Sequence, residues 1–410
     1  MIGPLGSVGR LALVVAVGLL SACAPGPEVV VSPSPSASPT ASATGATALS
    51  PSPSRAATST PAGTATSVPT SVPGMAIYND DFGFIVTEPD AVASIRTESS
   101  NARLASFEAQ TFAVSPDGRL IAFWKPGVRA ELRVTGGATE QTLVTVAADQ
   151  RGGGVAWSSD GAGLLYSTEK GNFGVGGDGT NSATLNVYEL AANGRHGTTI
   201  DTQTNTGWLY RPIAWDRSVN FAAAGLTGEG GQLAFYVTVR INPDNSLNVQ
   251  RVDTRHLQDL NGMAMGSIRA SSDAKLVLGI EGESGNIKWW PLADIAATKS
   301  QASAGKRGAL WRPGSHEIGF LTAEQLWLGD VDRSGPLGRC CTAFSGVPAT
   351  SVLRAFRADG TAVVLAAVPF RGTTAEYTLV RLGNDPKATS GDRVIFEELL
   401  GLSSSVRFFR

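Results

Sequence analysis

The chain has 410 residues and a formal net charge of −2 at pH 7, from 33 Lys and Arg against 35 Asp and Glu. Without the first 74 residues, which hold only Arg10, Arg55 and Glu28 as charged groups, 31 basic and 34 acidic residues remain and the net charge is −3. This balance excludes the strongly basic surface with which proteins attract nucleic acid or anionic lipid, so no nucleic-acid partner is predicted.

The N-terminus has the features of an export signal. Arg10 is followed by ten apolar residues, 11–20, a run too short to span a bilayer comfortably but suited to the core of a signal peptide. The sequence LSAC at residues 20–23 resembles the lipobox of bacterial lipoproteins, which implies that residues 1–22 are removed and that Cys23 carries a lipid. Two or three acyl chains, palmitate among them, would anchor the protein stably to the extracytoplasmic face of a cell membrane. The alternative is an ordinary signal peptide cleaved nearby, with Cys23 incidental.

Residues 23–74 are predicted to be a disordered tether. After Cys23 they are almost entirely Pro, Ser, Thr, Ala, Gly and Val, with no aromatic residue. Such a composition buries too little apolar surface to offset the entropy of ordering the chain. The tether would reach about 160 Å as a polyproline helix and roughly 40 Å as a flexible coil.

Residues 75–410 are predicted to form one β-propeller domain, because a short pattern recurs through them. The pattern is an apolar strand, a tight turn and a second apolar strand, first seen as FAVSPDGRLIAFW at residues 112–124. Aligned positions of successive copies lie 43, 58, 55, 41 and 45 residues apart, a period that four short strands and variable loops would fill. The aligned residues are Val114, Trp157, Trp215, Ala270, Trp311 and Phe356.

The turn chemistry and the apolar runs both fit the inner hairpin of a propeller blade. Pro116 presets one backbone angle, Asp117 can accept a bond from the following backbone, and Gly118 can take a positive φ. The nearly continuous apolar runs predict strands covered on both faces by neighbouring blades, and the recurring tryptophans are predicted to be core. More polar strands follow each hairpin and fit the outer half of a blade.

The repeats resemble those of TolB-type periplasmic proteins and of the propellers that cap prolyl oligopeptidases. The resemblance covers roughly residues 112–367 and implies a role in envelope protein assembly. It fixes the architecture better than the activity, since propellers host many unrelated functions. The second domain of a TolB protein is absent, and there is no Gly-x-Ser-x-Gly motif of the hydrolase domain that accompanies some related propellers.

The number of blades depends on the strands left over at the two ends of the domain. Residues 77–98 contain two or three strand-like runs before the first repeat, and residues 405–410 form one more after the sixth. Pairing of these strands would build a seventh blade that closes the ring and removes exposed sheet edges. The alternative is six blades with the N-terminal strands packed outside.

No catalytic motif, metal site or cofactor site is predicted. His196, His256 and His316 each stand alone, and the alternating acidic residues at 330–335 fit a tight turn better than a calcium loop. The adjacent Cys340 and Cys341 could form a vicinal disulfide or stay as two buried thiols.

Candidate partner-binding residues lie in the loops between blades and at the mouth of the central channel. Arginine and aromatic side chains are favoured at binding hot spots, which selects Arg151, Trp208, Tyr210, Arg211, Lys306 and Arg307. The sequence therefore predicts a lipid-anchored, extracytoplasmic β-propeller that binds proteins or cell-envelope components and is not an enzyme. The alternative is a propeller hydrolase or lyase that acts on extracellular glycans or lactones; titratable groups clustered at the channel mouth would favour it, and an open face of aromatic and arginine side chains would favour binding.

Overall fold

The structure is a computed structural model. It describes residues 83–87, 92–97, 103–136, 139–171, 181–228, 231–257, 260, 263–281, 285–301, 306–322, 325–333, 337, 341–345, 351–357, 359–367, 374–382, 390–399 and 406–409. The predicted signal peptide and tether, with Cys23, lie outside these residues, as does Cys340.

The described part of the chain contains 28 strands and three short 3₁₀ helices. The first three strands are β1 (Gly83–Thr87), β2 (Val92–Thr97) and β3 (Arg103–Glu108). Blade I comprises β4 (Phe112–Val114), β5 (Ile121–Lys125), β6 (Glu131–Thr135) and β7 (Glu140–Thr145), and blade II comprises β8 (Gln150–Trp157), β9 (Gly163–Lys170), β10 (Ser182–Glu189) and β11 (His196–Thr204). Blade III comprises β12 (Leu209–Asp216), β13 (Phe221–Thr227), β14 (Leu233–Ile241) and β15 (Leu247–Asp253), and blade IV comprises β16 (Arg269–Ala270), β17 (Leu276–Ile280), β18 (Ile287–Pro291) and β19 (Lys299–Gln301).

The second half of the domain continues in the same way. Blade V comprises β20 (Lys306–Trp311), β21 (Glu317–Thr322), β22 (Gln325–Asp330) and β23 (Cys341–Ser345), and blade VI comprises β24 (Ser351–Phe356), β25 (Ala362–Ala367), β26 (Thr374–Arg381) and β27 (Ser390–Leu399). The last strand is β28 (Val406–Phe409), and the 3₁₀ helices are Thr254–His256, Met265–Ser267 and Ile295–Ala297.

The described strands form seven antiparallel sheets of four strands each, so the fold is an all-β propeller with seven blades. Blades I to VI each use four consecutive strands, whereas blade VII has the order β28-β1-β2-β3. The first strands of successive blades touch one another around the ring, and β28 touches both β24 and β4. The C-terminal strand thus fills the innermost position of a blade otherwise made by the N-terminus, which confirms the predicted seven-blade closure.

The repeat alignment made from the sequence is also the structural one. Each aligned residue pairs with the residue seven positions later, as Val114 does with Ile121 and Trp311 with Ile318. The second strands β5, β9 and β13 are buried almost throughout, while the outer β7, β11 and β15 are largely exposed. The predicted division into apolar inner and polar outer strands is confirmed, because neighbouring blades cover both faces of the inner ones.

The recurring tryptophans are core residues that join blades. Trp157, Trp215 and Trp311 are all buried. The Trp157 ring N–H donates to the carbonyl of Ala113 in blade I at 2.9 Å, and Trp311 donates to the carbonyl of Arg269 in blade IV at 3.0 Å. Each of these two side chains therefore fixes the innermost strand of the preceding blade.

Several innermost strands contain a β-bulge at mid-length. The register shifts between Gly152 and Val155 in β8, between Pro212 and Ala214 in β12, and between Leu353 and Ala355 in β24. A bulge leaves a residue unpaired and turns its side chain away from the regular alternation. The bulged residues Ile213 and Arg354 both line cavities in the centre of the ring.

Candidate functional site

The predicted binding residues lie at one end of the ring, where the chain passes from one blade to the next. We call this end the loop face; the opposite end, which carries the Ser-Pro-Asp-Gly type turns, we call the turn face. Arg151 is the second residue of β8, Arg211 the third of β12, and Lys306 and Arg307 begin β20. The side chains of Lys306 and Arg307 lie outside the described residues.

Arg151 and Arg211 meet at one buried carboxylate. Glu169 is only 4% exposed and accepts from Arg151 Nε at 2.8 Å through Oε2 and from Arg211 Nη1 at 2.8 Å through Oε1. Nearby, the Ser167 hydroxyl donates to the carbonyl of Tyr210 at 3.0 Å and accepts from Gly154 N–H at 2.8 Å. These bonds join blade II to blade III and leave both arginines with a partner in the protein.

Tyr210 is a core residue. Its side chain is fully buried, its hydroxyl donates to Asp201 Oδ2 at 2.6 Å, and Arg251 pairs with the other oxygen of that carboxylate. Burial, followed by the bond to Asp201, raises the pKa of Tyr210 above its ordinary value, so the phenol stays a neutral donor. Its place in the core of blades II and III makes it a support for the loop face, since it has no exposed surface to offer a partner.

Trp208 belongs to a cluster of aromatic and arginine side chains at the loop face of blade III. Its ring meets that of Phe235 edge to face, with centroids 5.6 Å apart. The Arg255 guanidinium lies 4.8 Å from the Phe235 centroid and 5.7 Å from that of Trp208. Arg255 is 49% exposed and is held by Asp253, whose carboxylate accepts from Nε at 3.0 Å and from Nη2 at 2.6 Å. We refer to Trp208, Phe235 and Arg255 as the blade III cluster.

The remaining sequence features fall at the turn face or outside the described residues. Asp330 accepts from the backbone N–H of Asp332 at 2.9 Å and pairs with Arg333 at 3.2 Å, which is the geometry of a turn. Within the described ranges no group of three His, Cys, Asp or Glu side chains is placed to hold a metal ion. Cys341 begins β23, but its side chain is not described, so the state of the cysteine pair stays a prediction.

His316 is the one histidine that joins two carboxylates among the described side chains. Its Nδ1 lies 2.7 Å from Asp332 Oδ2 and its Nε2 lies 3.2 Å from Asp273 Oδ2, so it connects blade V to the turn of blade IV. Burial lowers the pKa of His316, but the bonds to Asp332 and Asp273 outweigh it and the net pKa is raised. This contact stabilises the boundary between two blades.

Two arginines in the centre of the ring were not predicted from the sequence as site residues. Arg269 and Arg354 lie on the innermost strands of blades IV and VI and line one cavity. A signal was present, since Arg269 occupies the repeat position held by Ala113, Ala156 and Ala214 in blades I to III. A charged residue at a position that is alanine in the first three blades calls for a structural or functional explanation.

Comparisons with known proteins identify no family and no activity for this chain. No protein-family model matches the chain, and no curated protein matches it. Among solved structures it is similar to a periplasmic gluconolactonase of Pseudomonas aeruginosa (14% identity, TM-score 0.48, 80% of this chain and 99% of the other) and to an oligogalacturonate lyase in complex with manganese (15%, 0.49, 72% and 84%). A chain of a mitotic checkpoint complex is similar at 11% identity and a TM-score of 0.44, over 77% of this chain and 86% of the other. Likeness at this level says nothing about activity, and the TolB-type resemblance stays a prediction.

Within the part of the chain that the structure describes, no helix is both long enough and apolar enough to cross a bilayer.

Proposed function

We propose that this protein is a lipid-anchored, extracytoplasmic binding propeller that captures a protein or envelope-polymer partner at the loop face of blade III. The observation that carries the proposal is the blade III cluster. It presents a half-exposed arginine over two aromatic rings at an end of the ring where predicted binding residues also lie. The anchoring half of the proposal rests on the LSAC sequence at residues 20–23.

The cluster has the composition and rigidity of a binding hot spot. Tryptophan and arginine are the residues most enriched at such positions, and a side chain already held in place loses little entropy when a partner binds. Arg255 is held by two bonds to Asp253, and Trp208 and Phe235 pack against the core of blades II and III. A partner would therefore meet a preformed surface of aromatic faces with a cation on top.

Capture from envelope extracts with cluster variants tests the proposal. Arg255→Gln and Trp208→Ala should each lower the recovery of a specific partner by about tenfold or more, the loss expected for a hot-spot side chain. The matched control is Val219→Ala, which removes a 55% exposed side chain from the turn face of the same blade and should leave recovery unchanged. Equal recovery by the wild type and both cluster variants, or no partner above a tether-only control, would refute the proposed site.

The enzyme alternative, a hydrolase or lyase of extracellular glycans or lactones, stays a prediction. Its test is turnover of such substrates by the purified protein, with the Glu169→Gln variant as the control for the buried carboxylate at the loop face. Turnover that this variant abolishes would favour the enzyme over the binding module.

A further inference from the structure

The centre of the ring contains a cavity that reaches the turn face. It has a volume of about 220 Å³ and is lined by residues of blades I, IV, V and VI, so it extends across the ring. A second cavity of about 360 Å³ shares Arg269 and four other lining residues with it and continues towards blades II and III. Pockets for drug-sized ligands measure roughly 300–1,000 Å³, so the second cavity falls within this range and the first suits a smaller organic molecule.

The walls of the first cavity are apolar apart from a few polar groups. Val114, Ala270, Leu310 and Phe356 supply much of the lining. Among the charged side chains, only two arginines of the described residues line it: Arg269 and Arg354. A cavity with apolar walls and two cations has the chemistry of a site for an organic anion.

The two arginines have no acidic partner among the described residues. Arg354 Nε is buried and has no hydrogen-bond partner. Arg269 donates through Nη1 to the carbonyl of Ile268 at 2.7 Å, and burial lowers its pKa below the usual value. Both arginines are partly exposed, but a cation in a largely apolar cavity without a counter-charge is still costly, so its retention needs a compensating interaction.

Two other arginines near the turn face, Arg217 and Arg312, have a carboxylate partner, which Arg269 and Arg354 lack among the described residues. Arg217 lies 2.6 Å from Asp160, and Arg312 lies 2.7 Å from Glu317 and also donates to the carbonyl of Gly360. Among the described residues, a carboxylate thus meets Arg217 and Arg312, and none meets the two arginines in the cavity. The missing negative charge is the one that a ligand would bring.

The local structure places both side chains in the cavity. Arg354 is the residue left unpaired by the bulge in β24, and the corresponding bulge residue of blade III, Ile213, also lines the central space. The backbone of Arg269 is fixed by the bond from the Trp311 ring N–H to its carbonyl oxygen, and Trp311 itself lines the cavity. The arginines therefore stand on rigid strands, as a preorganised site requires.

We propose that the central cavity binds a small carboxylate with an apolar body, whose negative group bonds to the guanidinium groups of Arg269 and Arg354. Guanidinium forms paired bonds with planar carboxylates, and the apolar part would pack on Val114, Ala270 and Leu310. This site is independent of the proposed partner face, because it lies towards the opposite end of the ring.

Benzoate is a suitable probe, with benzamide as a neutral molecule of the same shape and inorganic sulfate as an anion without an apolar body. Binding to the full-length protein is followed by calorimetric titration and by tryptophan fluorescence, since Trp311 lines the cavity. Benzoate should bind at least tenfold more tightly than either control.

Arg269→Met and Arg354→Met should each weaken the binding of benzoate about ten- to a hundredfold, the loss expected for a hydrogen bond between charged groups. The matched control Arg119→Gln removes a cation from the turn of blade I, outside the cavity lining, and should bind as the wild type does.

Thermal unfolding without ligand gives a second readout that does not depend on the choice of probe. Arg354→Met should raise the unfolding temperature, because it removes a partly buried cation whose Nε has no hydrogen-bond partner. Arg312→Met should lower it, because that arginine has a carboxylate partner. The proposal is overturned if no probe binds, if benzamide or sulfate binds as well as benzoate, if both arginine variants bind benzoate normally, or if Arg354→Met destabilises the protein as much as Arg312→Met does.

Discussion

At the scale of single residues, His316 joins two blades through contacts whose strength depends on pH in the ordinary range. It bonds to Asp273 of the neighbouring blade and to Asp332 of its own. Burial raises the pKa of Asp273, but the bonds from Ser271, from the backbone of Lys275 and from His316 together lower it by more. Its net pKa is therefore below the ordinary value. Each pKa shift favours the charged form of its group, which favours an ion pair between His316 and Asp273.

The raised pKa of His316 and the lowered pKa of Asp273 determine how the stability of this contact depends on pH. A histidine with a raised pKa in the folded state contributes stability that is fully present below its unfolded pKa, about 6.5, and is lost as the pH rises through the folded pKa. Asp273 contributes stability that is present above its unfolded pKa, about 3.9, and is lost as the pH falls through the folded one. The contact should therefore be strongest between about pH 4 and 6.5.

His316→Gln should remove this pH dependence. The expected loss is about 1 kcal/mol or less of unfolding free energy at pH 5.5, because Asp332 is 66% exposed and the pair is screened by solvent. At pH 8.5 the variant and the wild type should differ less. Urea unfolding at the two pH values measures both differences, and an equal difference at pH 5.5 and 8.5 would contradict the assignment. His196→Gln, a change at an exposed histidine, is the control.

The candidate site was only partly predictable from the sequence, and single residues show why. Trp208 was predicted because arginine and aromatic side chains near a blade junction favour binding. Its partners Phe235 and Arg255 lie 27 and 47 residues further along the chain, and nothing in the sequence indicated that they would contact it. Tyr210 was selected by the same reasoning and is buried, since residue type alone does not give the direction of a side chain. Arg354 looks like an ordinary strand residue, because a bulge has no mark in a single sequence.

At the scale of elements, the inner hairpins repeat one turn. In blades I, II and IV the serine hydroxyl donates to the aspartate two residues later, as Ser115 does to Asp117, and accepts from the backbone N–H that begins the next strand. The residue two places before that backbone group has a positive φ: Gly118, Gly161 and, less comfortably, Ala274 at +56°. This local chemistry was readable from the sequence because every bond in it spans only a few residues.

Two glycines of equivalent turns should respond differently to a methyl group. Gly161 and Gly360 have φ near +70°, so alanine should cost about 1 kcal/mol at either position. An added Cβ at Gly161 would meet its nearest atom at an ordinary 3.8 Å, whereas at Gly360 it would lie 2.8 Å from the carbonyl oxygen of Pro313. Gly360→Ala should therefore destabilise clearly more than Gly161→Ala in urea unfolding. Equal losses would show that the turns of blades V and VI do not pack as described.

At the scale of the whole molecule, the ring depends on one short strand from the C-terminus. The sequence predicted this closure because strands were left over at both ends, and unpaired edges are a liability. The pairing is in register from Gly83 with Phe409 to Val86 with Val406. Blade number could not be settled by counting repeats, since the seventh blade is divided between the ends of the chain and has no complete copy of the pattern.

Removal of residues 403–410 should open the ring. The unfolding free energy should fall, because β1 loses its hydrogen-bonded neighbour from Gly83 to Val86 and the sheet of blade VII gains an unpaired edge. A synthetic peptide of residues 403–410, added in excess, should restore part of the lost unfolding temperature, and a scrambled peptide should not. A truncated protein as stable as the full chain would contradict closure by β28.

The mature N-terminal residue decides whether the propeller is held at a membrane surface. Intact mass and membrane fractionation of the native protein are compared with those of Cys23→Ala. We expect a diacyl or triacyl mass on Cys23, recovery of the native protein with membranes, and loss of that association in the variant. An unlipidated mass, with both forms secreted, would contradict it and leave a freely diffusing propeller.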